Sequence, residues 1–204
     1  MWLKIFRENH LLTGYYSPDG TNWTQVGEII NVASLDNFSK NYNGWCGNRQ
    51  GLYVQGKPAY FDLYIYRDAY SPILAECPAN QFGNNRATLS DGTTVLDNIH
   101  NGNWALYAGV EFGSKDYPKA SGSIKITASC NTKGGKVEVW LDAIDTGKMI
   151  ATCKIINTGN LTGFKQFTAK TIQTMGRHDV YLRFVGTGDD MLFTINKFSF
   201  ISRK

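Results

Sequence analysis

The spacing of its turns constrains this chain more than any other feature. From Ile73 to Lys204, short runs of alternating apolar and polar residues are cut by clusters of Gly, Asn and Asp. Asn131-Thr-Lys-Gly-Gly135 separates Ser123–Cys130 from Lys136–Ile144, and Asp145-Thr-Gly147 separates that run from Lys148–Ile156. Asn157-Thr-Gly-Asn-Leu-Thr-Gly163 precedes Phe164–Ile172, and Gly186-Thr-Gly-Asp-Asp190 precedes the last strand. Period-2 alternation between turn-forming clusters predicts an all-β sandwich. No internal repeat, low-complexity tract or amphipathic helical pattern interrupts it.

Residues 1–70 are also β-rich. Trp2–Phe6 and Leu12–Tyr16 read as strands, and Thr24–Ile30 completes a hairpin. Ser17-Pro-Asp-Gly20 has Pro at the second position with Asp-Gly behind it, a turn signal. Residues 31–50 are loop-like, and Gly51–Val54 and Ala59–Tyr66 read as further strands. Arg67-Asp-Ala-Tyr-Ser-Pro72 ends the last of these and marks a boundary. The expected organisation is a partial β-sandwich segment over 1–70 and a second, complete domain over 71–204. The first piece lacks strands to pair its open edges, so only the second is expected to fold alone. Met1 opens inside a strand-like segment without the n- and h-regions of a signal peptide, which suggests a piece of a longer chain.

Composition narrows the function. The 204 residues carry a net charge of +4 with no Lys/Arg run, so neither nucleic acid nor a membrane surface is the expected partner. No apolar run approaches the roughly 18 residues that cross a bilayer. Cys46, Cys77, Cys130 and Cys153 have no CxxC spacing, and His10, His100 and His178 are scattered, which argues against structural zinc. Cys130 alternates with Ile124, Ile126 and Ala128. Cys153 alternates with Met149, Ala151 and Ile155. Both are expected in the core as thiols, with a Cys130–Cys153 disulfide as the alternative.

One stretch stands out: Leu96-Asp-Asn-Ile-His-Asn-Gly-Asn-Trp-Ala-Leu-Tyr107. Its centre tolerates positive φ, and Trp104 follows at once. An indole beside a tight turn is either core or a stacking surface for a ligand. This stretch resembles the "G-Y-I-D-N-G-D-W" signature of family 6 carbohydrate-binding modules. Gly176-Arg-His-Asp-Val-Tyr-Leu-Arg-Phe-Val-Gly186 is similar to that family's "G-x-H-D-L-Y-L-x-F-x-G". Leu192–Phe200 is similar to its closing "L-F-N-F-D-x-W-x-F", and Lys136–Asp142 to its "T-I-E-L-R-L-D". Tyr15–Gly27 resembles the "Y-Y-S-x-D-G-x-x-W-x-x-V-G" hairpin of concanavalin-like sandwich domains, which accompany glycoside hydrolases, family 43 among them.

The resemblance implies a jelly-roll β-sandwich that binds polysaccharide and does no chemistry. It also implies two binding places. One is an edge cleft, where the family's Tyr, Trp and Asn are replaced here by Asn98, Phe164 and Thr194. The other is the concave face of a sheet, where Trp104 matches the family tryptophan and Glu138 lies on a matching strand. Alternation turns Val137, Val139 and Leu141 toward the core and Glu138, Trp140 and Asp142 outward. Trp140 on a polar face is either a stacking platform between carboxylates or a packing contact with residues 1–70 or a partner domain. Tyr181 and Arg183 point outward on another strand and extend that surface. The family's "E-A-E" calcium pair is Leu74-Ala75-Glu76 here, leaving Glu76 as the one acid for a structural calcium that wants several oxygens.

Three functions compete. The first is non-catalytic binding that targets a secreted bacterial glycoside hydrolase to plant cell-wall polysaccharide, xylan or a related β-glycan. The second is a spacer that docks a family 43-type catalytic domain. The third is hydrolysis. Glycosidases use two carboxylates about 5–10 Å apart, whereas Glu138 and Asp142 are four residues apart on a strand, roughly 13 Å. Asp189-Asp190 reads as a solvated turn, and neither His100 nor His178 has a nucleophile motif nearby.

Overall fold

A computed structural model describes residues 1–8, 10–33 and 52–203. Most of the loop-like 31–50 stretch, with Cys46 in it, lies outside the described residues. The chain divides into two compact units, Met1–Tyr60 and Phe61–Lys204. That division falls ten residues before the 70/71 boundary read from the sequence. The reason is local. Arg67 and Asp68 form a short strand that pairs with the second unit, and Ala69 behind them is fully buried in its core.

The first unit is an antiparallel meander of β1 (Trp2–Glu8), β2 (Leu11–Ser17) and β3 (Thr24–Asn31). The expected turn joins β2 to β3. Ser17 Oγ accepts the Gly20 N–H at 2.9 Å, and Asp19 Oδ1 accepts the N–H groups of Thr21 and Asn22 at 2.8 Å each. These bonds, those to Asn22 and Thr21 first, hold the Asp19 carboxyl well below the usual carboxylate range. The expected strands at 51–54 and 59–66 do not form: the described residues 52–66 make no strand. Their composition suits a strand, but a strand also needs a neighbouring ladder.

The second unit is a jelly-roll sandwich of two six-stranded sheets. One contains β4 (Arg67–Asp68), β6 (Asn80–Phe82), β9 (Trp104–Glu111), β11 (Gly135–Leu141), β12 (Lys148–Ile155) and β14 (Arg177–Val185). Its order is β12-β11-β14-β9-β4, with β6 also on β9. The other contains β5 (Ile73–Leu74), β7 (Asn85–Thr88), β8 (Thr94–Asp97), β10 (Ser121–Ser129), β13 (Lys165–Lys170) and β15 (Thr194–Ser202), in the order β13-β10-β15-β8-β7 with β5 on β15.

The two inner faces make one core. Val137, Val139 and Leu141 of β11 and Val180, Leu182 and Phe184 of β14 are buried, as their alternation requires, opposite Ile124, Ile126 and Phe198. Rings interlock edge to face between the layers: Tyr107 with Phe198 at 4.8 Å and Phe112 with Phe200 at 4.7 Å. Cys130 and Cys153 are both buried thiols and form no disulfide. Cys130 Sγ donates instead to the Leu192 carbonyl at 3.1 Å. Burial pushes the Cys153 thiol up to about 11.

Met149 departs from its expected inward position and is 42% exposed. A register shift at Val139/Trp140 in the β11–β12 pair sets Met149 opposite Trp140 and turns it outward.

Candidate functional site

The motif loop before β9 is built from its own polar groups. The Asn103 side chain accepts the His100 N–H at 2.8 Å. The Gly102 N–H donates to the Phe184 carbonyl and the Phe184 N–H to the Asn103 carbonyl, both at 2.9 Å. Gly102 sits at φ 85, which favours glycine. The loop is thereby tied to the end of β14, and the chain leaves it at Trp104 with Arg183 directly opposite.

Strand register then lays out the outer face of this sheet. Thr152, Glu138, Arg183, Trp104 and Phe82 form one row across β12, β11, β14, β9 and β6. Met149, Trp140, Tyr181, Leu106 and Asn80 form the next. None of these side chains is fully buried, and Phe82 is 61% exposed. The rings of Trp104 and Tyr181 touch at 5.8 Å with a 58° tilt. Trp140 Nε1 donates to Glu138 Oε2 at 3.1 Å, which fixes the indole on the face. Adjacent strands are about 4.8 Å apart, so the line Trp140–Tyr181–Trp104–Phe82 spans about 14 Å across three strand steps. Flat apolar rings with hydroxyl-binding polar groups beside them are what a sugar chain requires.

Asp142 is not on this face. It leaves the strand at φ 66, and its carboxylate meets His178 Nδ1 at 2.9 Å and accepts the Asp179 N–H at 3.2 Å. The acid that serves the face from this turn is Asp145, which pairs with the Arg183 guanidinium. Phe82 and Asp145 were missed in the sequence. The Asp-Thr-Gly turn and the solitary aromatic in Asn80-Gln-Phe-Gly83 were the available signals.

The edge-cleft residues are placed differently. Asn98, at φ 54, donates from Nδ2 to the Gly83 carbonyl at 3.1 Å, and its Oδ1 faces His100 Nε2 at 3.1 Å. His100 Nδ1 in turn faces the Asp189 carbonyl at 2.9 Å. Phe164 is half-buried in the loop before β13. Thr194 is fully buried, its hydroxyl 2.6 Å from that of Ser129, so it presents nothing to a ligand. The amide that the family carries there is replaced by a hydroxyl already satisfied inside.

Glu76, the expected calcium ligand, is buried and accepts the Thr94 hydroxyl at 3.0 Å. Among the described residues no group of three or more His, Cys, Asp or Glu side chains is arranged to hold a metal. Glu76 supplies one carboxylate, with Oε1 engaged by a hydroxyl donor, where calcium usually draws on several carboxylate and carbonyl oxygens.

An all-β sandwich whose outer face carries a partly exposed aromatic line with adjoining acids has the arrangement of a carbohydrate-binding module. The sequence matches carbohydrate binding module (family 6) over residues 75–202, and the chain belongs to that family. It is 29% identical over 152 residues to an arabinoxylan arabinofuranohydrolase of Paenibacillus polymyxa, covering 72% of this chain and 23% of that protein. The chain spans about a quarter of the length of the curated relatives it matches. A family 6 module of Clostridium cellulolyticum, solved with xylose, superposes with a TM-score of 0.60 at 33% identity, over 66% of this chain and 99% of that one. A β-1,3-glucan-binding family 6 module of Bacillus halodurans superposes with a TM-score of 0.58 at 27% identity, over 66% and 97%.

Proposed function

We propose that this chain binds a neutral β-glycan of the plant cell wall, xylan or a related polymer. It would thereby target a secreted bacterial glycoside hydrolase to that substrate. The observation that carries this reading is the line Trp140–Tyr181–Trp104–Phe82, with Glu138 fixed against Trp140. A relative named as an arabinoxylan arabinofuranohydrolase, and a neighbour solved with xylose, support the choice of polymer. The outer sheet face is favoured over the edge cleft, because Asn98 and Thr194 are committed to protein partners.

Affinity electrophoresis in xylan, β-glucan and arabinan gels, run beside a reducing-sugar assay, tests the reading. Retarded migration without sugar release is expected. Release of sugar would mean catalysis. Unretarded migration on every polymer would favour the second reading, a spacer that docks a family 43-type catalytic domain.

A further inference from the structure

Arg183 lies at the centre of the outer face. Trp104 is directly opposite it on β9, and Glu138 is directly opposite on β11. Its guanidinium is held by Asp145, which reaches it from the turn between β11 and β12. Asp145 sits at φ 65, a conformation costly for most residues but accessible to Asp and Asn. The turn therefore tolerates an unfavourable backbone while placing a carboxylate against the one arginine of the aromatic rows. One row further on, Lys136 and Lys154 face each other across β11 and β12.

We propose that Asp145 is a specificity-determining residue: by occupying the Arg183 guanidinium it makes the face select neutral sugars over sugars bearing a carboxylate. The inference rests on the sheet-face reading above. A guanidinium is the group best shaped to take a carboxylate in two parallel hydrogen bonds. With Asp145 on Nη1, the positive charge is already offset from within the protein, and the remaining N–H donors suit hydroxyls. With Asp145 neutralised, the Arg183 charge stands on the face beside Trp104, with Glu138 the acid opposite it and Lys136 and Lys154 one row further on.

The test uses Asp145→Asn in the whole chain. Asn keeps the side-chain shape and tolerates the left-handed backbone. Calorimetry at low and high salt compares a neutral β-1,4-xylo-oligosaccharide with the same backbone carrying a uronic acid. The acidic-to-neutral affinity ratio is expected to rise about tenfold in Asp145→Asn at low salt, within reach of one charge-assisted contact, and to fall back at high salt. In an Arg183→Gln background, Asp145→Asn is expected to leave the ratio unchanged. A rise of the same size in that background, or no rise with Arg183 present, overturns the proposal. Should Asp145→Asn fail to fold, Asp145→Gly carries the same test. Trp140→Ala separates the two levels: if it leaves both ligands bound as before, the sheet-face reading itself falls.

Discussion

The Trp140 indole donates to the carboxylate of Glu138, two residues earlier on the same strand, at 3.1 Å. The pair projects one ring and one acid from the same side of β11, beside Tyr181 and Arg183 of β14. Trp140→Ala is expected to weaken polysaccharide binding by about 2 kcal/mol, the scale of an aromatic anchor, or roughly thirtyfold. Phe164→Ala is expected to cost much less, because Asn98 offers no second ring. Melting curves belong beside the titrations, since truncating a core tryptophan costs about 3–5 kcal/mol of stability. Early unfolding with normal binding would make Trp140 a packing residue. Abolished binding in Phe164→Ala alone would return the site to the edge cleft.

Tyr107→Phe probes the core. The Tyr107 hydroxyl donates to the Ala75 carbonyl at 2.7 Å in a fully buried setting. Removing it leaves that acceptor unsatisfied, and a loss of about 1–3 kcal/mol is expected in urea titration. An unchanged midpoint would mean that water or another donor reaches Ala75.

Cys153 gives an alkaline prediction with a definite sign. Its thiol is raised from the ordinary 9.0 to about 11 by burial. Between those values the unfolded chain loses the proton while the native chain keeps it, so stability falls as pH rises. The expected fall is on the order of 1–2 kcal/mol over that window. The slope should be shallower by that amount in Cys153→Ala, and equal slopes in the two proteins would contradict the assignment.

Calcium is expected to change little. Glu76 already accepts the Thr94 hydroxyl, and a ligand stabilises only by its affinity for the native state. The melting temperature should be the same in millimolar calcium and in chelator. A rise of many degrees with calcium would show that carbonyl oxygens complete a site around Glu76.

The two units should separate in their behaviour. Residues 61–204 contain the whole interlocked core, whereas 1–60 contain a three-stranded meander. Expressed alone, the former is expected to melt cooperatively and the latter not to, since a small sheet without a packed face is marginal. A cooperative melt of 1–60 would refute this.

The sandwich and much of its outer face could be read directly from the residues. In β11 and β14 each side chain's face follows from period 2, so Val137, Val139, Val180 and Leu182 went inward while Glu138, Trp140, Tyr181 and Arg183 went outward, as observed. The Ser17–Gly20 turn was equally legible, because Asp19 and Ser17 satisfy the turn's own N–H groups. Local physics decides such features, and local physics is written in neighbouring residues.

Other features depended on partners distant in sequence. Residues 59–66 alternate like a strand, but no ladder receives them among the described residues, so alternation alone could not make one. Met149 turned outward because of a one-residue shift in pairing between β11 and β12. Asp142 was lost to the face and Asp145 gained, because two left-handed residues redirect the turn toward His178 and Arg183 on another strand. Thr194 was buried by a hydroxyl partner 65 residues away. The sequence by itself determined the strands, the turns and which side of each strand is apolar, since these rest on bonding between near neighbours. Only the tertiary structure decided which outward side chains meet, because register and turn geometry set those distances through contacts that no single stretch contains.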